Sequence, residues 1–217
     1  MTRHAFFMLL FATVLLWEPQ VIGAQQKAVS SQVDPHGEAL LERLRTVSSL
    51  SARFTEKKQI ALLDAPLISK GSLFYLRPAN LVRRIDFPEK SRLRLQHSKL
   101  ELAGPTGASK IDLDSQPAVR ELIVSFLYLL EGNAAALRRN YRLSLKSGRN
   151  DAWTLELHPS TPALRKLIAR ITLAGRGLQI QSLVVNETTG DVSTTTFDSI
   201  QINRTFSDKE RRQIFGI

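Results

Sequence analysis

Val47-Ser48-Ser49-Leu50-Ser51-Ala52-Arg53-Phe54-Thr55-Glu56, followed further on by Gly71-Ser72-Leu73-Phe74-Tyr75-Leu76-Arg77-Pro78, is where this chain changes its period. Upstream, Leu40, Leu41, Leu44 and Val47 recur at helical spacing, with Glu38, Glu42, Arg43 and Arg45 on the other face. That pattern predicts an amphipathic helix, which Asp34 caps and Pro35 begins. From Ser51 the period is two: Ala52 and Phe54 share one face of a strand, Arg53 and Thr55 the other. The strand Leu67–Leu76 repeats the pattern, placing Leu73, Tyr75 and Arg77 together, and Pro78 stops it by removing a donor.

The alternation continues outward. Leu81, Arg83 and Ile85 alternate with Val82, Arg84 and Asp86 up to Phe87-Pro88, and Arg92–Leu95 and Leu100–Leu102 form a hairpin around His97-Ser98. Gly104-Pro105-Thr106-Gly107 breaks the chain. A second helix then starts at Ser115-Gln116-Pro117, with Val119, Leu122, Ile123, Phe126, Leu127 and Leu130 on a wide apolar side, and ends at Gly132-Asn133; a short turn, Ala134–Arg139, follows. The strands resume as Tyr141–Leu145, Trp153–Leu157, Ile168–Leu173, Leu178–Val185 and Val192–Ile202, with a helical loop at Thr161–Lys166 and turns at Gly175–Gly177 and Thr189–Asp191. Connections this short forbid parallel crossovers. The expected fold is therefore α+β: one long, curved antiparallel sheet with helices covering its concave apolar face.

Residues 1–24 have the form of a cleaved signal peptide: a basic start at Arg3-His4, an apolar run from Ala5 to Trp17, and Ile22-Gly23-Ala24 before the cut. The run is shorter than the roughly 20 residues a membrane span needs. Residues 25–33 read as a flexible tether and 34–217 as a single domain. An exported chain with no cysteine fits a Gram-negative periplasm, and it excludes a lipobox. In that compartment the sequons at Asn186 and Asn203 are coincidental. The net charge of +10 favours anionic partners. The bases are scattered, aromatics are 7% of the chain and no nucleic-acid-binding signature is present, so nucleic acid is not an expected partner.

Catalytic constellations are thin. His36, His97 and His158 have no second histidine or carboxylate at ligand spacing, so no metal is expected. Without a cysteine or a Gly-x-Ser-x-Gly elbow, nucleophilic catalysis has no home. Asp112 and Asp114 read as solvated loop residues, no cofactor is implied, and the chain reads as a non-enzyme. Arg77 stands out because it shares a face with Leu73 and Tyr75, where a guanidinium is costly unless its donors find partners. Two readings stand: a rim arginine whose head reaches water, or a latch donating to backbone carbonyls of the lid loops. Arg83, between Leu81 and Ile85, is a second inward or rim cation, meeting a cargo headgroup or snorkelling to solvent.

The quoted stretches resemble the LolA family of periplasmic outer-membrane lipoprotein carriers. Gly71–Pro78 is similar to the family's glycine-to-Arg-Pro strand, with Arg77 on its latch arginine and Leu81 near its apolar mouth residue. Leu183–Glu187, Gly190-Asp191 and Thr195-Thr196-Phe197 are similar to its closing hairpin. The chain departs in having Arg83 where the family has a tryptophan, His97-Ser98-Lys99-Leu100 in place of an aromatic hairpin, and an earlier C-terminal end. The resemblance implies an unclosed antiparallel barrel with a helical lid over a hydrophobic cavity for acyl chains, contacted by Phe54, Leu73, Tyr75, Leu81, Ile85, Leu122, Phe126, Trp153 and Leu155. It also implies a monomer that takes acylated lipoproteins, or a related acylated lipid, from an inner-membrane ABC exporter to an outer-membrane receptor. The alternative is a non-enzymatic basic docking module for an exporter or a cell-envelope lipid or polyene pathway.

Overall fold

The computed structural model describes residues 35–217, with side chains from Ala39 onward except that of Ala118. The expected signal peptide (1–24), the tether (25–33) and the Asp34 cap lie outside the described residues. The described residues belong to one unit, Val33–Ile217. Helix α1 (Pro35–Leu44) leads into six strands: β1 (Ser49–Gln59), β2 (Leu67–Leu76), β3 (Asn80–Phe87), β4 (Ser91–Gln96), β5 (Lys99–Gly104) and β6 (Gly107–Asp112). Helices α2 (Pro117–Leu130) and α3 (Ala134–Asn140) interrupt them. Then come β7 (Tyr141–Ser147), β8 (Ala152–Pro159), the short α4 (Pro162–Arg165), β9 (Ile168–Arg176), β10 (Gln179–Glu187) and β11 (Val192–Ile202), with a helical segment α5 (Asp208–Glu210) near the C-terminus.

Among the described residues, eleven strands form one antiparallel sheet in the order β6-β5-β4-β3-β2-β1-β11-β10-β9-β8-β7. β6 and β7 are its two edges and do not pair, so the barrel is unclosed. Residues directly opposed on paired strands share a face. Leu50 opposes Tyr75, Tyr75 opposes Leu81, Leu81 opposes Leu95 and Leu95 opposes Leu100, which makes an apolar row across five strands. The other half matches it: Leu183, Leu173, Leu155 and Leu145 oppose one another in turn. Leu40, Leu41 and Leu44 of α1 and Leu122, Ile123 and Leu127 of α2 are buried, as are Tyr75, Leu95 and Leu173 beneath the helical layer. Each leucine enclosed this way contributes about 2 kcal/mol of transfer free energy.

Three local expectations change. The first helix does not reach Val47, the last residue of its apolar stripe. It ends at Leu44, and β1 begins at Ser49, because Leu50 gains ladder partners on both sides, in Tyr75 and Ile202. Gly104–Gly107 is not a break but the turn of another hairpin, leading into β6. β6 escapes a pattern reading because it is an edge strand whose inward positions are Ser109 and Ile111, too few apolar residues to alternate. In the third, Gly175 and Arg176 stay in β9, and the hairpin turns at Gly177-Leu178.

The C-terminal segment packs on the outer face of the sheet. Phe206 and Phe215 stack edge-to-face at 5.2 Å and cover Val82, with Phe74, Leu76 and Ile214 around them. Arg94 and Gln96 of β4 donate to the Phe215 carbonyl, at 3.2 and 2.7 Å. Ser207 caps this segment, its side chain accepting from the Glu210 backbone while the Glu210 carboxylate accepts from the Ser207 backbone.

The helical layer is tied together at Gly132, which follows α2 with φ +64°. A Cβ there would come within 2.2 Å of the Leu41 carbonyl oxygen and 2.6 Å of the Arg45 nitrogen. Glycine thus satisfies both a left-handed backbone and a helix-to-helix approach with no room for a side chain. Replacing it, Gly132→Ala, is expected to cost about 2 kcal/mol or more, read as a melting temperature lower by roughly 4 °C or more in calorimetry.

Candidate functional site

Every strand residue expected to meet cargo lies on the covered face. Phe54, Leu73, Tyr75, Leu81, Ile85, Trp153 and Leu155 are all buried there. From α2, Leu122 is buried and Phe126 half-buried. Trp153 sits at one end, its indole nitrogen donating to the Gly177 carbonyl at 2.9 Å. Its ring lies over Gly175, where a Cβ would come within 2.4 Å of the indole. The tryptophan therefore closes the β9–β10 hairpin as well as facing inward.

Arg77 is an exposed residue just past the end of β2. Its guanidinium donates to the Val47 carbonyl at 3.0 Å and reaches the Glu131 carbonyl at 3.5 Å. Val47 lies between α1 and β1, and Glu131 is the C-cap of α2. One cation thereby ties the sheet to the ends of both covering helices, where the α2 carbonyls also carry the negative end of the helix dipole. The position combines both sequence readings: at the rim, and bonded to backbone carbonyls of the helical layer. Beneath it, burial pushes the Tyr75 hydroxyl up to about 12, with Glu131 adding to the shift and Arg77 opposing it. Burial likewise pushes Tyr141 up to about 12, with Ser125 opposing the shift and Glu121 adding to it.

Arg83 does not share the partners of Arg77. It points inward, pairs with Glu56 at 3.2 Å and lies 4.3 Å from the centre of the Phe54 ring. Glu56 also accepts from Thr195 at 3.1 Å. Lys58, two residues on, donates to Glu187 at 2.9 Å and lies 3.9 Å from Asp191. These groups form a charged band across the inner face, with each charge matched because an unmatched one would be costly there. The band divides the face into an apolar half beneath the helices and a polar end. Sequence reasoning missed Glu56, Lys58, Glu187 and Asp191 as inner-face residues. The signal was present, since period two carries the face of Ala52 and Phe54 straight on to Glu56 and Lys58.

Beside Arg77, a cleft of about 340 Å³ runs between α2 and the tips of two hairpins. Ala79, His97 and Ser98 form its sheet side, and Val124, Leu127 and Tyr128 its helical side. Arg120, paired with Asp114 at 3.0 Å, closes one end. Among the described residues, no group of three or more histidines and carboxylates could hold a metal ion, and no helix is long and apolar enough to cross a membrane.

A family model described as outer membrane lipoprotein carrier protein LolA-like matches residues 28–203. No curated protein sequence matches the chain. Among solved structures, a LolA superfamily protein from Nitrosomonas europaea is similar at 11% identity and TM-score 0.44, over 80% of this chain and 96% of that one. MucB is similar at 10% identity and TM-score 0.49, over 82% of this chain and 62% of that one. The lipoprotein LppX of Mycobacterium tuberculosis is similar at 10% identity and TM-score 0.41, over 80% and 98%.

The two buried phenols generate a pH dependence. Each folded-state value stands above the ordinary 10.0, so the stability each contributes is complete below pH 10 and is lost as the pH rises through about 12. Absorbance titration at alkaline pH is expected to show two late-ionising tyrosines whose titration coincides with loss of structure. Tyr75→Phe and Tyr141→Phe should each remove one of them, and early ionisation of all three tyrosines would contradict the burial.

Proposed function

We propose, from the premise that the chain belongs to the LolA-like outer membrane lipoprotein carrier family, that it carries acylated cargo through the periplasm in the space between its sheet and its helices. The observation that supports this most directly is the bond of Arg77 to the Val47 and Glu131 carbonyls, which joins the covering helices to the rim of an apolar sheet face. An acyl chain entering there gains about 0.8 kcal/mol for each CH₂ taken out of water, enough to hold a lipid in an aqueous compartment. To admit the chain the helices must lift, and the tie that resists lifting is a pair of hydrogen bonds at a solvent-exposed site, each worth on the order of 1 kcal/mol. A closure this weak suits a carrier, because release to an acceptor requires opening at modest cost.

In this reading Phe54, Leu73, Tyr75, Leu81, Ile85, Leu122, Phe126 and Leu155 meet the acyl chains, with Trp153 at the far end. Arg77 latches the lid, and Arg83, held by Glu56, borders the apolar half where a headgroup would lie. The donor is an inner-membrane ABC exporter and the acceptor an outer-membrane receptor, with lipoprotein or a related acylated lipid as cargo and no catalytic step. Export through the signal peptide at 1–24 places the carrier in the periplasm.

Protein recovered from its own periplasm without detergent is expected to show, in native mass spectrometry, a bound acylated species in a one-to-one complex. A clean unliganded mass, together with no uptake of a fluorescent fatty acid, would sink the carrier reading. Arg77→Leu is expected to fold and melt within about 1 to 2 kcal/mol of the parent, while either retaining cargo that should be handed over or losing it early. Unchanged loading and transfer by that variant would refute the latch.

A further inference from the structure

Five large apolar side chains are exposed among the described residues, and four of them gather at one end of the sheet. Leu62, 91% exposed, and Leu63 lie in the loop between β1 and β2, Leu67 opens β2, and Phe87 closes β3. The register brings these segments together: Lys58 opposes Leu67, and Lys70 opposes Phe87. This is the end opposite Arg77, which follows the last residue of β2. Single exposed apolar residues are ordinary, but a cluster confined to neighbouring loop tips is a mark of an interaction surface.

The leucines are held outward by an anchored loop. The Ala61 amide donates to the Asp191 carboxylate at 3.0 Å, the Leu63 amide to the Ile60 carbonyl at 3.0 Å, and the Gln59 side chain to the Leu63 carbonyl at 3.3 Å. Asp191 is itself fixed near Lys58 in the charged band, so the loop is tied to the most strongly paired part of the sheet. Exposed cations surround the tip. Lys57 and Lys70 stand on β1 and β2, and Lys90 lies between β3 and β4. Lys166 joins them because the Thr188 hydroxyl, in the turn after β10, donates to its carbonyl at 2.8 Å. The exposed acids at these loops are Asp64 and Glu89, while Asp86 is paired with Arg84 at 3.1 Å.

We propose that this end of the sheet docks on an anionic phospholipid bilayer, the Leu62-Leu63 loop entering the headgroup layer and the surrounding lysines meeting lipid phosphates. Aliphatic side chains on a fixed loop, ringed by flexible ammonium groups, match an interface that is apolar a few ångströms down and negatively charged at its surface. The overall charge of +10 acts in the same direction by drawing the protein toward such a surface. Docking here leaves the Arg77 rim facing away from the lipid, and it stands whether or not the inner face carries cargo.

The test is flotation of the protein, exported and recovered as the cell makes it, with vesicles of phosphatidylcholine alone or mixed with phosphatidylglycerol. The parent is expected to float with the mixed vesicles at physiological salt. The double variant Leu62→Glu, Leu63→Glu should lose about tenfold or more in partitioning at an unchanged melting temperature. Lys57→Glu with Lys70→Glu should abolish the preference for anionic over neutral vesicles. Fatty-acid uptake, measured in parallel, should be the same in all variants, which separates this surface from the inner face. Failure of the parent to float, or equal flotation of the leucine variant, would overturn the proposal; in the first case the tip would be left as a protein-docking surface.

Discussion

An antiparallel sheet that does not close leaves one largely apolar face open, and that face must be kept from water. Among the described residues eleven strands supply it, from Ile111 on β6 and Leu100 on β5 through Tyr75 and Leu50 at the centre to Leu145 on β7. The amphipathic stripe of α1, the wide apolar side of α2 and the Gly132 contact between the two helices all answer that requirement. A closed barrel would bury the same face against itself and have no lid. The open form needs a separate cover, and the proposed carrier role would have that cover lift.

The inner face is not uniform. Leu50, Ala52 and Phe54 are followed on the same face of β1 by Glu56 and Lys58, each paired across strands with Arg83 or with Glu187 and Asp191. Replacing such pairs with apolar side chains commonly costs little or even stabilises a protein. A charged band across an otherwise greasy surface is therefore poorly explained by stability alone. In the proposed carrier reading, it would limit how far an acyl chain travels and set polar partners where the chain ends. The same band anchors the β1–β2 loop through Asp191, so the floor of the polar end and the exposed leucine tip form one structural unit.

Pattern reading succeeded wherever one face of a strand was dry. Leu67–Leu76 and Val192–Ile202 are found with the boundaries their alternation predicts, and α2 starts at the Pro117 that its turn chemistry predicts. It failed where burial was partial or came from an unexpected direction. β6 is an edge strand with few inward apolar positions, and β1 opens at Ser49, ahead of the period of two at Ser51, because the ladder partners of Leu50 hold it in the sheet. The outer-face cluster of Phe206 and Phe215 was invisible for a related reason. Its partners Phe74 and Val82 occupy positions that alternation assigns to solvent, and only the return of the C-terminal segment makes them interior.

The sequence by itself determined the class of fold, the helix–sheet order and the apolar residues that face inward along the strands, because a period of two or 3.6 is a local property that side-chain polarity records directly. It also singled out Arg77 as an arginine on the wrong face. Only the tertiary structure decided what that arginine does, since its acceptors, Val47 and Glu131, are distant in sequence and are backbone atoms with no signature of their own. The same holds for Arg83, whose inward turn depends on finding Glu56 across two strands, and for the leucine tip, whose members become neighbours only through the register of β1, β2 and β3. Periodicity says which way a side chain points; long-range pairing says what it meets.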